Sequence, residues 1–452
     1  MTQGVITGSF ERRIKNAKMN LIIRPPLSIK GTIDPPGDKS ISHRAAIIGA
    51  LAEGETRIDG FLEGADCLST LKCLRDLGVV IEGPYDGQVI IRGKGLNSLK
   101  EPETVLDAGN SGTTMRLLSG VLAGQSFYSV ITGDESLRSR PMGRVTKPLR
   151  SMGAKIWGRL GGDLAPLSIQ GNSLTPIKYT LPVASAQVKS ALLLAGLFAN
   201  GETVITEPHR SRDHSERMLK AAGADITIED KTVRIKGQEK PLKPLKMKIP
   251  GDISGAAFFL VAGCIVPRGI ILLKDVNLNP TRTGILEVLK AMGAQITVTP
   301  KGETSGEPIG DIEVSCSNLQ GTEVNGELIP RLIDEIPVLA VAATQAKGKT
   351  IISDAAELKF KETDRISLVA KELIKMGADI LPQPDGLLIK GSPLHGAVVD
   401  THGDHRLGMT LAVAALVAKG VTVIRGAECI NISYPNFAKD MERLGVEVRE
   451  ED

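Results

Sequence analysis

Residues suited to anion binding and proton transfer stand at recurring places along the chain. Small, polar and charged clusters occur at GDKSISHR (37–44), GNSGTTMR (109–116), SAQVK (185–189), GDISG (251–255), LIDEIP (332–337) and GDHR (403–406). Each opens a stretch that is otherwise apolar and helical. A helix start leaves N–H groups unpaired and carries the positive end of the helix dipole. It therefore suits an anion, and glycine lets the anion approach the backbone. Lys39 lies between a Gly-Asp turn and a capping Ser40, with Arg44 one turn on. Asp334 and Glu335 precede a helix with Pro337 in its first turn, where proline is tolerated. Two carboxylates facing a cationic cleft are equipped for proton transfer. LKFKETDRI (358–366) adds Lys359, Lys361, Glu362, Asp364 and Arg365, and RSRPMGR (138–144) adds three arginines around a proline. Arginine suits paired hydrogen bonds to phosphate and carboxylate. Capping alone explains any one of these starts, and a charge run is usually a solvated face. Six starts in register with a repeat favour binding.

The repeat supplies the elements that must position these groups. LRDLGVVI (74–81), LRSMGAKI (149–156), LKAAGADI (219–226), LKAMGAQI (289–296), LIKMGADI (373–380) and MERLGVEV (441–448) are variants of one phrase. Each reads as the end of an amphipathic helix, a glycine past its C-terminus, then a strand. The glycines, Gly78, Gly153, Gly223, Gly293, Gly377 and Gly445, are spaced by 75, 70, 70, 84 and 68 residues. That period is too long for the common solenoids. The unit is a buried helix, a strand, an exposed helix and further strands such as VIIRG (89–93) and LLIKG (387–391). The helices behind the polar starts are apolar nearly all round, which predicts burial on every side. Six units divide into three and three at the Pro/Gly joints DPPGD (34–38) and IPGDIS (249–254). The expected organisation is an extension and strand over 1–37 joining the second domain, a first three-repeat domain over 38–250, and a second over 251–452. The strand LIIRPP (21–26) then belongs to the second domain, and the chain crosses between domains twice. If three helices run parallel in each domain, both sets of starts face one cleft. The longest spacing predicts a surface loop around PKGETSGEPIG (300–310).

Bulk properties narrow the class. A chain of 452 residues, 42% hydrophobic and 24% charged, is ordinary for a globular protein and long enough for two or three domains. Aromatic residues are 3%, which supplies a base-stacking surface poorly, and a net charge of +3 argues against nucleic acid or an anionic membrane. Five cysteines, Cys67, Cys73, Cys264, Cys316 and Cys429, with no C-x-x-C, read as buried thiols of a reducing compartment. No apolar run approaches the length of a membrane span, and residues 1–20 lack the apolar core of a secretory signal, reading as a partly ordered extension.

With these residues laid out, the sequence resembles the enolpyruvyl transferases, and among them the 5-enolpyruvylshikimate-3-phosphate synthase family. GDKSISHR, GNSGTTMR, RPMGRV (140–145), SAQVKS, RDHSE (212–216), NPTR (279–282), IDEIPVLAV (333–341), KETDR and DHR occur in the family's order, from about residue 24 to 449. SAQVK, RDHSE and NPTR resemble the second of its two classes. The resemblance implies an α/β fold of two domains, each three βαβαββ repeats with buried parallel helices. The implied reaction moves the enolpyruvyl group of phosphoenolpyruvate to the 5-hydroxyl of shikimate 3-phosphate. It proceeds by addition and elimination, without metal or organic cofactor, in the cytoplasm and as a monomer.

The resemblance also implies residue roles. Lys39 touches both substrates, Ser40 and Arg44 hold the shikimate ring and carboxylate, and Ser185 and Arg212 hold its phosphate. Gln187 lies between the substrates. Arg140, Lys39 and the backbone near Gly112 take the phosphate of phosphoenolpyruvate, while Arg365 and Arg406 take its carboxylate. Asp334 accepts the proton of the attacking hydroxyl, which Lys361 orients. Glu362 handles the proton at the methylene carbon with His405 nearby, a role that can exchange with Lys39. Ser433 stands where many first-class members place a phosphate-binding lysine. Glyphosate competes for this site in the family, and Gly112 stands where tolerant members often carry alanine. Two other readings share the scaffold. The transferase acting on UDP-N-acetylglucosamine usually has a cysteine in the loop matching 134–144, which is absent here. A non-catalytic binding protein would not require Asp334, Glu362 and the arginines together.

Overall fold

A computed structural model of the chain describes residues 19–451 apart from Glu239. The extension expected before residue 19 lies outside the described residues.

Six helices with apolar bodies organise everything else. They are α1 (Lys39–Leu51), α2 (Gly112–Ala123), α3 (Ala186–Gly196), α4 (Ile253–Ile265), α5 (Ile336–Thr344) and α6 (His405–Ala415). Beyond the first turn nearly every residue of these helices is buried. Such helices must be surrounded on all sides by other elements. Small residues allow this. A Cβ at Gly120 of α2 would fall 2.1 Å from the carbonyl oxygen of Ala191 on α3, so the two backbones pack in direct contact.

Among the described residues, six four-stranded sheets enclose the helices. In each, the edge strand runs parallel to its neighbour and the remaining pairs are antiparallel. The sheet of Leu106–Asp107, Tyr128–Thr132, Leu164–Gln170 and Lys155–Gly158 is built from one unit. Three other sheets borrow a strand. Lys246–Lys248 edges the sheet of Glu53–Asp59, and Lys30–Ile33 edges that of Ile270–Asn277. Asn20–Arg24 inserts between Thr422–Arg425 and Glu447–Glu451, antiparallel to both. The buried apolar residues form two clusters. One runs from Ile41 to Ile249, and the other joins Leu21, Ile23, Ile29 and Ile33 to residues from Ile253 to Val448.

The marker glycines stop the outer helices as the repeat predicts. Gly78, Gly153, Gly223, Gly293, Gly377 and Gly445 all have φ between 84° and 96°, the left-handed region past a helix end. The two crossings between cores pair with each other. Asp38 N donates to Pro250 O and Asp252 N to Pro36 O, both at 2.8 Å.

Two expectations need correction. Residues 300–310 are not a loop. Gln295–Thr304 and Glu307–Ser315 form one long antiparallel hairpin, turning at Ser305 and Gly306 with φ of 47° and 82°. Two positive φ values match the right-handed twist of a hairpin. The Lys, Gly, Glu and Pro of this stretch hide the strand alternation; the hairpin tip bonds to the other core through Arg217 and the Gly306 carbonyl, and to its own through Leu278 N and the Pro308 carbonyl. Cys316 is exposed, unlike the other four cysteines, because it follows the strand end where the chain leaves the core. No described helix is long and apolar enough to cross a membrane.

Candidate active site

All six helix starts line one cavity of about 730 Å³ between the cores. Lys39 and Ser40 come from α1, Gly112 and Thr113 from α2, and Ser185 and Gln187 from α3. Asp252 precedes α4, Asp334 precedes α5, and His405 and Arg406 open α6. Capping and site-building coexist here. Asp38, Ser111, Ser185, Asp252 and Asp404 each accept a backbone N–H of the helix they open. A second cavity, of about 620 Å³, lies at the far ends of α2 and α3, and among the described residues no charged side chain lines it.

Of the sequence-predicted site residues, Lys39, Ser40, Gly112, Arg140, Ser185, Gln187, Arg212, Asp334, Lys361, Glu362, Arg365, His405 and Arg406 all line the main cavity. Arg44 does not. Its guanidinium donates to Ser40 O (2.9 Å), Ser190 Oγ (2.8 Å) and Ser215 Oγ (2.7 Å), behind the cavity wall. The spacing from Ser40 to Arg44 puts both on one helix face, but α1 is buried one turn in, so Arg44 points into protein. Burial lowers its pKa to about 10. Ser433 is likewise outside the lining, with Oγ buried.

Two carboxylates sit among the cations. Asp334 accepts from Arg212 Nη2 (2.6 Å), Lys361 Nζ (3.0 Å) and Arg365 Nη1 (3.2 Å). Burial alone would raise its pKa, but Lys361, Arg212, Arg406 and Arg365 hold it well below the usual carboxylate range. Glu362 accepts from Arg365 Nη2 at 2.6 Å and lies 3.9 Å from Arg140. Against burial, Arg365, Arg140 and Lys39 hold it well down too. Lys39 contacts Asp66, and although burial opposes it, Asp66 and Glu362 raise its pKa. His405 is pushed down to about 4, first by burial and then by Lys39 and Arg406, so its ring is uncharged near neutrality.

Sequence reasoning gives no role in the site to several charged lining residues, among them Arg116, Arg144 and Asp66. Arg116 lies one turn beyond Gly112 and contacts Gln187; that i, i+4 spacing was the available signal. Arg144 reaches Glu357 across the cleft at 3.0 Å. Asp66 opens the helix Ala65–Asp76, and no local pattern pairs it with Lys39.

Twin cores of three sheets, with helix starts turned on a shared cationic cleft, define an enolpyruvyl transferase architecture. The solved enolpyruvyl transferase NikO from Streptomyces tendae matches at a TM-score of 0.79, covering 96% of this chain and 99% of that one, at 18% identity, which speaks to fold alone. EPSP synthase from Acinetobacter baumannii matches at a TM-score of 0.87 and 45% identity, over 96% of this chain and 100% of that one. The 3-phosphoshikimate 1-carboxyvinyltransferase of Pelotomaculum thermopropionicum is 57% identical over 431 residues, 95% of this chain and all of that protein. The profile of EPSP synthase (3-phosphoshikimate 1-carboxyvinyltransferase) matches residues 23–450, and the chain belongs to that family of transferases.

Proposed function

We propose that this chain joins the enolpyruvyl group of phosphoenolpyruvate to the 5-hydroxyl of shikimate 3-phosphate and releases phosphate. The observation that carries this reading is one cavity holding Lys39, Arg140, Arg212, Arg365 and Arg406 together with Asp334 and Glu362. Two anionic substrates need such cations, and an addition–elimination needs groups that move protons in both directions.

In this reading Ser40, Ser185, Gln187, Arg212 and Lys361 hold shikimate 3-phosphate. Arg44 acts indirectly by fixing the Ser40 carbonyl. Arg140 and the Gly112 amide take the donor's phosphate, and Arg365 and Arg406 its carboxylate. The 5-hydroxyl gives its proton to Asp334 as its oxygen attacks C2, while C3 gains a proton from Glu362 or Lys39. The tetrahedral adduct then breaks its C2–O bond to phosphate as C3 gives a proton back.

The carboxylates are too strongly paired to accept protons until substrate arrives. A substrate phosphate that recruits Arg212, and a 5-hydroxyl that engages Lys361, draw two cations from Asp334, and its proton affinity rises as the hydroxyl docks. A donor anion that occupies Arg365 and Arg140 does the same for Glu362. Closure of the units 38–250 and 251–452 excludes water around them. The enzyme acts as a monomer in the cytoplasm, and equilibrium sedimentation tests the first of these statements.

The deciding experiment is phosphate release with purified protein, omitting each substrate in turn. Release requiring both, with the enolpyruvyl product seen by mass, is expected. Release with UDP-N-acetylglucosamine in place of shikimate 3-phosphate, or no release at all, overturns the reading.

A further inference from the structure

Arg282 of the NPTR stretch is 1% exposed and lies at the floor of the cleft, where the chain crosses between the cores. Its Nη1 donates to Asp38 Oδ2 at 2.9 Å, and its Nη2 donates to Asp252 Oδ1 at 3.1 Å and Ser254 Oγ at 2.7 Å. Nη1 also meets His214 Nε2 at 3.2 Å. That ring nitrogen must accept, which leaves Nδ1 of His214 to donate to Glu307 at 2.8 Å.

Three of these partners, Asp38, Asp252 and Ser254, lead to reacting groups. Asp38 caps α1, through Oδ1 to Ile41 N at 3.0 Å, one residue before Lys39. Asp252 caps α4, and its Oδ2 meets the backbone N of Lys39 at 3.4 Å. The Ser254 hydroxyl donates a hydrogen bond to Glu335, the neighbour of Asp334. One planar guanidinium therefore joins the start of α1 in one core to the starts of α4 and α5 in the other. Lysine has a single rotating ammonium and cannot hold that fork. A buried ion network of this kind adds little net stability, but it can fix one geometry among several.

We propose that Arg282 is a positioning residue for the transfer reaction, setting Lys39 of one core against Asp334 of the other through Asp38, Asp252 and the Ser254–Glu335 link. It rests on the activity proposed above, and its test has one arm that does not need that activity. Arg282→Lys keeps the charge and loses the fork. It is expected to lower kcat by about 10- to 100-fold, the usual effect of misplacing reacting groups by an ångström or so. Binding of shikimate 3-phosphate alone, read by calorimetry, weakens far less than kcat falls, since Ser185, Gln187, Arg212 and Lys361 lie outside the disturbed segment at 36–44. Ser254→Ala cuts one arm of the network and should lower kcat with the thermal midpoint nearly unchanged.

The second arm is amide hydrogen exchange without substrate. In Arg282→Lys, segments 36–44 and 332–338 are expected to lose protection while the body of α4 keeps it. A raised KM or weaker shikimate 3-phosphate binding at unchanged kcat makes Arg282 a direct ligand and overturns the proposal. Unchanged kinetics and exchange, or loss of protection throughout both cores, overturn it as well. A parent protein with no phosphate release, but with the localised exchange pattern, removes the function reading and leaves the junction role standing.

Discussion

Asp334 is held by three cations and Glu362 by a bidentate-capable arginine, so neither is a ready base or acid in the unliganded cleft. The proposed activation by substrate makes this testable residue by residue. Asp334→Asn is expected to reduce kcat/KM by about 100- to 10,000-fold, the usual contribution of a positioned proton acceptor. Glu362→Gln separates the two candidates for the methylene proton. Run in deuterated water, the parent should place solvent deuterium on the product's methylene carbon, and Glu362→Gln should slow that incorporation together with turnover, as seen by mass spectrometry. Label retained at the parental rate assigns the proton to Lys39 instead. Gly112 tests the donor pocket. A Cβ there would lie 3.0 Å from Arg116 Nη1 and 3.6 Å from Arg140 Nη1, against the cationic wall. Glyphosate is expected to inhibit the parent, and Gly112→Ala should raise its inhibition constant more than the KM for phosphoenolpyruvate. Equal inhibition of both proteins would remove the steric argument.

The elements owe their ends to glycine for two separate reasons, and stability measurements can tell them apart. Gly445 has φ of 90° and open space where a side-chain carbon would stand, so Gly445→Ala carries backbone strain alone. We expect a loss of about 1 kcal/mol by urea unfolding, the usual penalty for a left-handed alanine. Gly120 has ordinary helical φ, but its Cβ would collide with the Ala191 carbonyl at 2.1 Å. Gly120→Ala should cost on the order of 3 kcal/mol by overpacking. The first of these was legible in the sequence, because a glycine ending an amphipathic phrase has one usual meaning. The second was not, since a glycine inside an apolar helix does not say which neighbour it admits. Residues 300–310 were misread for a related cause. Their polar, glycine-containing strands pair with each other at the exposed end of a long hairpin, so no alternation marks them.

Across the whole molecule, buried histidines make stability depend on pH. His43, whose Nδ1 meets Thr70 Oγ1 at 2.6 Å, is pushed down to about 3 by burial, with Lys39 and Arg44 adding to the effect against Asp66. His405 is pushed to about 4. Both values lie below the 6.5 of a free imidazole. On acidification the unfolded chain therefore binds these protons first. The stability they represent is complete above pH 6.5 and drains as pH falls toward 4 and then 3. Each unit of difference corresponds to about 1.4 kcal/mol. Urea midpoints should fall steadily from pH 7 to pH 5, a range in which free carboxylates are still ionised. Substituting His43 with glutamine should flatten the curve; an unchanged slope would assign the dependence to other groups.

Everything that repeats or is local was already legible in one dimension. The period of about seventy residues, the apolar helices with polar starts and the capping glycines follow from short-range patterning, which a linear chain preserves. The membership of the cleft was also written there, because Lys39, Gly112, Ser185, Asp334 and His405 occupy equivalent places at the starts of equivalent helices. Packing in three dimensions settled which of these groups face outward and which partner they take. Arg44 turns into protein because α1 is enclosed one turn beyond Ser40. Asp66 meets Lys39, Arg212 meets Asp334, and Arg282 gathers Asp38, Asp252 and Ser254, across separations of up to 244 residues. Such contacts depend on how two closed cores are set against each other at a paired crossing, and no local periodicity encodes that geometry.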